Sequence, residues 1–230
     1  MKRSTQLFLA LGLLAMPAAA SEIIWDNYPA GHGQMLFSSQ LDPAYPFDSQ
    51  TADDFMLADA GDQPWAITDV HWVGGFWQGM EPVPGEPFNI YFYADDGTGN
   101  APTGGPDDPS DTALATYQGV FPIETDLGDW RYAYELDLAT PFIADNNVKY
   151  WIAIQAEFVY PPMWGIADSL DAWGATAKIG FPMIGDPYWS ELPEPGDVAF
   201  RLTGYRVPEP ASLLAFAVGA LILARRARQA

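Results

Sequence analysis

The strongest constraint on the fold of this chain is a strict alternation of apolar and polar side chains. In the segment WRYAYELDL (Trp130–Leu138), the aromatic and aliphatic residues at even positions share one face, and Arg131, Glu135 and Asp137 share the other. Because successive side chains of a β-strand point to opposite faces, this period of two predicts a half-buried strand. The stretches FNIYFYAD, VKYWIAIQAEF and DVAFRLTGY alternate in the same way and are rich in strand-forming residues.

Turn-forming residues separate these segments at short intervals. The chain has 21 glycines and 21 prolines, and no segment between its two ends keeps a helical period over three turns. We therefore predict an all-β fold over residues 21–206, an antiparallel β-sandwich with a jelly-roll-like topology. The stretch WAITDVHWVGGFW (Trp65–Trp77) alternates less cleanly, and two interpretations remain: cover on both faces, or a bulge near Gly74 and Gly75.

The first twenty residues are predicted to be a secretory signal peptide, helical in its apolar part. Two basic residues precede the apolar run Leu7–Met16, and Ala18 and Ala20 form a small-residue cleavage site before Ser21. The expected partners are the Sec translocon and signal peptidase. The chain has no cysteine, so an exported body would be stabilised by packing without disulfides.

The predicted body is strongly acidic. Residues 21–206 contain five basic and twenty-nine acidic side chains, a net charge of −24. Such a surface argues against binding to nucleic acid or to anionic membranes, and it favours solubility outside the cell.

The last 24 residues, 207–230, have a distinctive order. The triplet-bearing segment is Val207, Pro208, Glu209 and Pro210; the uncharged run Ala211–Ala224 follows, and then the basic cluster Arg225, Arg226 and Arg228. Fourteen helical residues span about 21 Å, less than the roughly 30 Å hydrocarbon core. The basic cluster is expected to stay on the cytoplasmic side as a stop-transfer signal. A second triplet at residues 193–195 has no apolar run after it, so the triplet alone carries no information.

This order resembles the PEP-CTERM sorting domain of Gram-negative bacteria. The resemblance implies a short transmembrane helix, transient anchoring in the inner membrane and processing by an exosortase-type transpeptidase. It also implies a destination at the cell surface or in an exopolysaccharide matrix. The same tail is sometimes labelled an ice-binding protein C-terminal domain, but the chain has no regular threonine ladder.

The body more loosely resembles uncharacterised exported proteins that carry this tail. The shared stretches include SQTADDFML (Ser49–Leu57), FNIYFYADDGTG and DVAFRLTGYRVPEP. This resemblance implies a β-sandwich and brings no known activity.

The sequence contains little that predicts catalysis. His32 lies in a glycine-rich loop and His71 in a strand, and neither a G-x-S-x-G nor an H-E-x-x-H motif is present. We expect no enzymatic function, with a glycan-active hydrolase as the third alternative. The leading expectation is a structural or adhesive role.

One loop has the oxygen-rich composition that suits Ca²⁺. Asp95, Asp96, Thr98 and Asn100 are the candidate ligands, because hard cations prefer oxygen donors. Acids at 107, 108 and 111 could join them, and the pair Asp53–Asp54 is a second candidate. The alternative for each is a solvated aspartate–glycine turn without a metal, and no other cofactor is expected.

A carbohydrate-binding module is the second functional hypothesis. Tyr91, Tyr93 and Trp151 fall on the polar faces of their strands, near Asn89 and Gln155. Exposed rings there would stack on extracellular polysaccharide, while the amides would bind hydroxyls. The alternative is that loops cover these rings.

Overall fold

A computed structural model describes residues 21–45, 47–59, 61–77, 82–107, 109–182, 186–192 and 196–208. The predicted signal peptide, including Ala18 and Ala20, and the tail from Glu209 onward lie outside these residues. The elements are β1 (Glu22–Asp26), β2 (His32–Ser38), β3 (Gln40–Asp42), β4 (Phe47–Asp48), β5 (Gln50–Met56), β6 (Trp65–Phe76), β7 (Phe88–Ala94), α1 (Pro109–Thr112), β8 (Ala115–Val120), β9 (Ile123–Gly128), β10 (Arg131–Ala144), β11 (Lys149–Glu157), β12 (Trp164–Ser169), β13 (Lys178–Phe181), β14 (Asp186–Glu191) and β15 (Phe200–Arg206).

The strands form two sheets, which confirms the predicted all-β sandwich. Sheet A has the order β1-β15-β6-β10-β9, and β12 and then β2 extend it beside the far end of β6. Sheet B has the order β14-β13-β5-β11-β7-β8, with β3 and β4 beside the end of β11. Pairing within the described sheets is antiparallel apart from the parallel contact of β3 with β11. From β5 to β7 and from β10 to β13, successive strands alternate between the sheets, as they do in a jelly roll.

The core between the sheets is built by the faces that the alternation predicted to be apolar. Tyr134 and Leu136 from β10 meet Phe88 and Phe92 from β7 in this core. Phe92 stacks on Phe142 with ring centroids 4.3 Å apart, so aromatic contacts join the two sheets directly.

Sheet B is also buried on its outer face. The loop between β7 and β8 covers this face with Ala113, and the segment before β13 covers it with Ala175. The side chain of Trp189, from the edge strand β14 of the same sheet, packs over it as well. Pro106, from the loop between β7 and β8, packs directly against Gly180 of β13. A Cβ added to Gly180 would stand 2.2 Å from the Pro106 ring. The protein is therefore a sandwich with an additional covering layer over sheet B.

The pairing of strand β6 bears on the two interpretations of its irregular alternation, cover on both faces and a bulge near Gly74 and Gly75. Gly74 and Gly75 pair in regular register with β10, so no bulge lies there. A Cβ on Gly74 would stand 2.2 Å from Trp164, and one on Gly75 would stand 2.3 Å from a backbone oxygen. These glycines permit close packing. The register shifts along β6 lie instead opposite Thr68, between Asp137 and Phe142 of β10 and between Thr203 and Gly204 of β15.

Candidate functional site

The three rings of the predicted carbohydrate platform are buried. Tyr91 is 2% exposed, and Tyr93 and Trp151 are fully buried. They stand on the outer face of sheet B, as predicted, but Trp189 packs edge-on against Tyr93 with ring centroids 6.0 Å apart. The alternative interpretation, cover by loops, is the one that the structure supports.

The neighbouring amides are buried in the same layer. Gln155 donates to Asp48 Oδ1 at 2.6 Å and to the Ser49 carbonyl at 2.9 Å. Asn89 donates to Glu157 at 3.1 Å. Burial raises the pKa of Asp48 to about 6, although the hydrogen bond from Gln155 opposes the shift. These groups therefore satisfy one another and present no hydroxyl-binding surface.

The loop proposed for Ca²⁺ is held together by its own hydrogen bonds. Asp95 Oδ2 accepts from the Gly97 and Gly99 amides at 2.8 and 2.9 Å, and its Oδ1 accepts from the Trp151 indole at 3.1 Å. Asp96 Oδ1 accepts from the Thr98 amide and hydroxyl.

The remaining predicted ligand, Asn100, donates its amide to the Thr98 carbonyl at 3.2 Å. Within the part of the chain that the structure describes, no group of three or more acidic or histidine side chains could hold a metal ion. The loop is folded as a series of aspartate turns.

Asp53 and Asp54 cannot act together as a metal site, because they point to opposite faces of sheet B. Asp53 points into the sandwich and is fully buried. Its carboxylate accepts hydrogen bonds at 2.8 Å from Asn27 Nδ2, the Val198 amide and the Asp54 amide, which ties β5 to sheet A. Asp54 points outward and pairs with Lys149 at 2.7 Å. The period of two explains this separation.

The electrostatics around Asp53 disfavour its charge. Burial raises the pKa of Asp53 well above its usual value, and the carboxylates of Asp197 and Asp54 add to this effect. Burial also raises the pKa of Asp197 to about 6. Asp53 therefore acts as an internal clamp between the sheets, through its hydrogen bonds with Asn27 and the Val198 amide.

The two histidines occupy separate places. His32 Nδ1 lies 3.0 Å from the Gly33 carbonyl, while His71 stands opposite Glu135 on the outer face of sheet A. Next to His71, Asp69 faces Asp137 across the strands. The hydrogen bond with Asp69, together with its charge, raises the pKa of Asp137.

The Asp69 and Asp137 carboxyls thus share a hydrogen bond on the outer face of sheet A.

The described surface has a cleft of about 620 Å³ that sequence analysis did not find. Its walls are the loop after β7 and strand β14; the lining residues are Asp96, Ala101, Pro102, Gly104, Gly105, Asp107, Tyr188 and Trp189. The signal available in the sequence was the dipeptide Tyr188-Trp189, but its surroundings, DPYWSE, show no periodicity.

Of the predicted sorting motif, Val207 and Pro208 are described, while Glu209, Pro210 and the basic cluster Arg225, Arg226 and Arg228 lie outside the described residues. The Val207 amide donates to the Pro64 carbonyl at 3.0 Å, directly after β15 ends. Over the described residues, the structure has no helix with the length and apolar character to cross a membrane.

Comparisons with known proteins identify two regions. Residues 23–203 match the family described as "Domain of unknown function (DUF7901)", and residues 206–229 match the PEP-CTERM protein-sorting motif. The second match confirms the predicted resemblance of the tail, and nothing supports the ice-binding label. No curated protein and no solved structure matches the chain.

Proposed function

Since the chain belongs to the DUF7901 family and carries a PEP-CTERM sorting motif, we propose that its sandwich is a structural or adhesive component of the cell surface or the extracellular matrix. The motif implies an exported protein that is anchored transiently at its C-terminus and sorted by an exosortase-type enzyme. The proposed steps before sorting are passage through the Sec translocon and removal of residues 1–20. The proposed destination includes an exopolysaccharide matrix.

The observation that carries this proposal is the direct junction between the sandwich and the motif. Strand β15 ends at Arg206, and the backbone hydrogen bond from Val207 to Pro64 fixes the next residue to the body. Pro208 follows immediately. Processing near this motif would leave the sandwich without a flexible spacer, which suits a component that is packed into a layer.

The body has the rigidity that a structural component needs. Both faces of sheet B are packed, and Asp53 joins the two sheets through buried hydrogen bonds. An acidic surface keeps such a body soluble during export. We propose that it has no enzymatic function.

The sorting step is tested by replacing Pro208, Glu209 and Pro210 with alanine in the full chain. We expect the variant to remain unprocessed in the inner-membrane fraction. The matched control replaces the second triplet, residues 193–195, which should leave maturation unchanged. Normal maturation of the first variant would contradict the sorting assignment.

The structural role is tested in a strain that lacks the protein. We expect weaker cohesion of the extracellular matrix, measured as the shear needed to disperse cell aggregates, and recovery with the wild-type chain but not with the motif variant. Unchanged cohesion would refute the role. Release of reducing sugars from the matrix by the purified chain would instead favour a glycan-active hydrolase.

A further inference from the structure

The cleft between the loop after β7 and strand β14 has the size and lining of a small ligand site. Its volume of about 620 Å³ lies within the roughly 300–1,000 Å³ typical of such sites. Pro106 docks against Gly180 of β13, and the Thr103 amide donates to the Ala94 carbonyl at 2.8 Å. These contacts hold the loop wall in place.

The opposite wall offers an aromatic surface with rigid support. Tyr188 is 74% exposed, a larger fraction than that of any other large apolar or aromatic side chain in the described part of the chain. Beside it, Trp189 rests on Tyr93, whose hydroxyl donates to Gln50 at 2.8 Å. Trp189 is thereby fixed within this wall, and Tyr188, its neighbour on β14, stands exposed beside it.

The polar groups of the cleft select the charge of the ligand. Among the described residues that line it are two carboxylates, Asp96 and Asp107, and no lysine or arginine. An anionic ligand would be repelled. Asp96 already accepts two hydrogen bonds from Thr98, so it does not need a cation as a partner. Hydroxyl groups that donate to carboxylate oxygens fit this arrangement best.

We propose that this cleft binds neutral polysaccharide, with Tyr188 stacking on the apolar face of a pyranose ring and Asp96 and Asp107 accepting hydrogen bonds from its hydroxyls. The inference rests on the proposed adhesive function and deepens it by naming the ligand class. It also replaces the platform of Tyr91, Tyr93 and Trp151 with Tyr188, which lines the cleft beside Trp189.

The experiment uses the full chain in a detergent without a sugar headgroup, titrated with neutral oligosaccharides of glucose, galactose, mannose and xylose. Tryptophan fluorescence reports binding. Chitosan and polygalacturonate oligosaccharides provide cationic and anionic probes. We expect at least one neutral probe to bind, and Tyr188→Ala to weaken that binding about tenfold. Asp107→Asn should weaken it as well.

The matched control is Tyr45→Ala, which removes another exposed tyrosine, 67% exposed and outside the lining of the cleft. It should bind as the wild-type chain does. The inference is overturned if no neutral probe binds, if only a charged probe binds, or if Tyr188→Ala binds normally. Equal losses in the two tyrosine variants would also overturn it. Sorting and matrix cohesion are measured separately, so failure here is distinguishable from failure of the proposed function.

Discussion

Replacing Asp53 with alanine tests whether the internal clamp stabilises the sandwich. The substitution removes the acceptor of three hydrogen bonds. It leaves the Val198 amide and one N–H of Asn27 Nδ2 unpaired in the core, while Nδ2 keeps its hydrogen bond to the Val198 carbonyl. Each orphaned buried donor costs about 1–3 kcal/mol. Removal of a carboxylate that burial disfavours offsets part of this cost. We expect a net loss of about 2–4 kcal/mol at neutral pH.

The sign of the pH dependence makes the prediction stricter. The folded-state pKa of Asp53 lies above the unfolded value, so its contribution to stability is greatest at low pH and declines as pH rises above the unfolded pKa. The alanine variant lacks this decline. Its loss of stability relative to the wild-type chain should therefore be larger at pH 5 than at pH 8.

Urea unfolding of the full chain, followed by tryptophan fluorescence, measures both effects. The exposed Asp62 provides the control: Asp62→Ala should change the free energy of unfolding by no more than about 0.5 kcal/mol. Asp53→Asn keeps an acceptor oxygen for Asn27 and Val198, so it should lose less stability and show no titration at this position. A loss below about 1 kcal/mol for Asp53→Ala, or a loss that grows with pH, would refute the clamp.

Stability measurements on the full chain test the roles of Asp48 and Asp197, of Trp151, and of the Asp95 loop. Burial raises the pKa of Asp48 and Asp197 to about 6, so their contribution to stability is complete below the unfolded pKa and is lost as pH rises through about 6. The midpoint of urea unfolding should therefore be higher at pH 5 than at pH 7.5. An equal or lower midpoint at pH 5 would contradict this prediction. Trp151→Ala should cost about 3–5 kcal/mol, because the indole is fully buried and bonds to Asp95, and a stable variant would show that the ring is not part of the covering layer. Saturating Ca²⁺ should leave the melting temperature unchanged, since both Asp95 oxygens already accept hydrogen bonds, and a rise of several degrees would establish the metal site.

The fold could be predicted because strand periodicity is a local property. In β10, the residues that alternate as apolar, such as Tyr134 and Leu136, are the ones that enter the core. The same local rule would have separated Asp53 from Asp54, since neighbours on a strand point to opposite faces. The prediction that Asp53 and Asp54 bind a metal together did not take this alternation into account.

The covering layer could not be predicted from alternation. A period of two shows that the faces of a strand differ, but it does not show what lies above each face. Trp189 reaches Tyr93 from a strand almost a hundred residues away in the chain, and Pro106 reaches Gly180 from a polar loop. These contacts join segments with no shared pattern, so both the burial of the expected platform and the cleft beside it depend on tertiary structure.

The cleft lies near the end of the sandwich where the sorting motif begins, and this position favours short-range cohesion as the form of the proposed adhesive role. Ala94, where the cleft loop begins, pairs with Tyr150 close to the turn that follows Ala144. Arg206, where the body ends, is separated from Ala144 by the single strand β6. The loop and the sorting motif therefore leave the sandwich at the same end. With no spacer before Pro208, a polysaccharide bound in this cleft would be held close to the point of attachment. Under the proposed function, such a geometry would join the protein to the layer around it, whereas an adhesin for distant surfaces would need its binding site at the opposite end or on a long stalk.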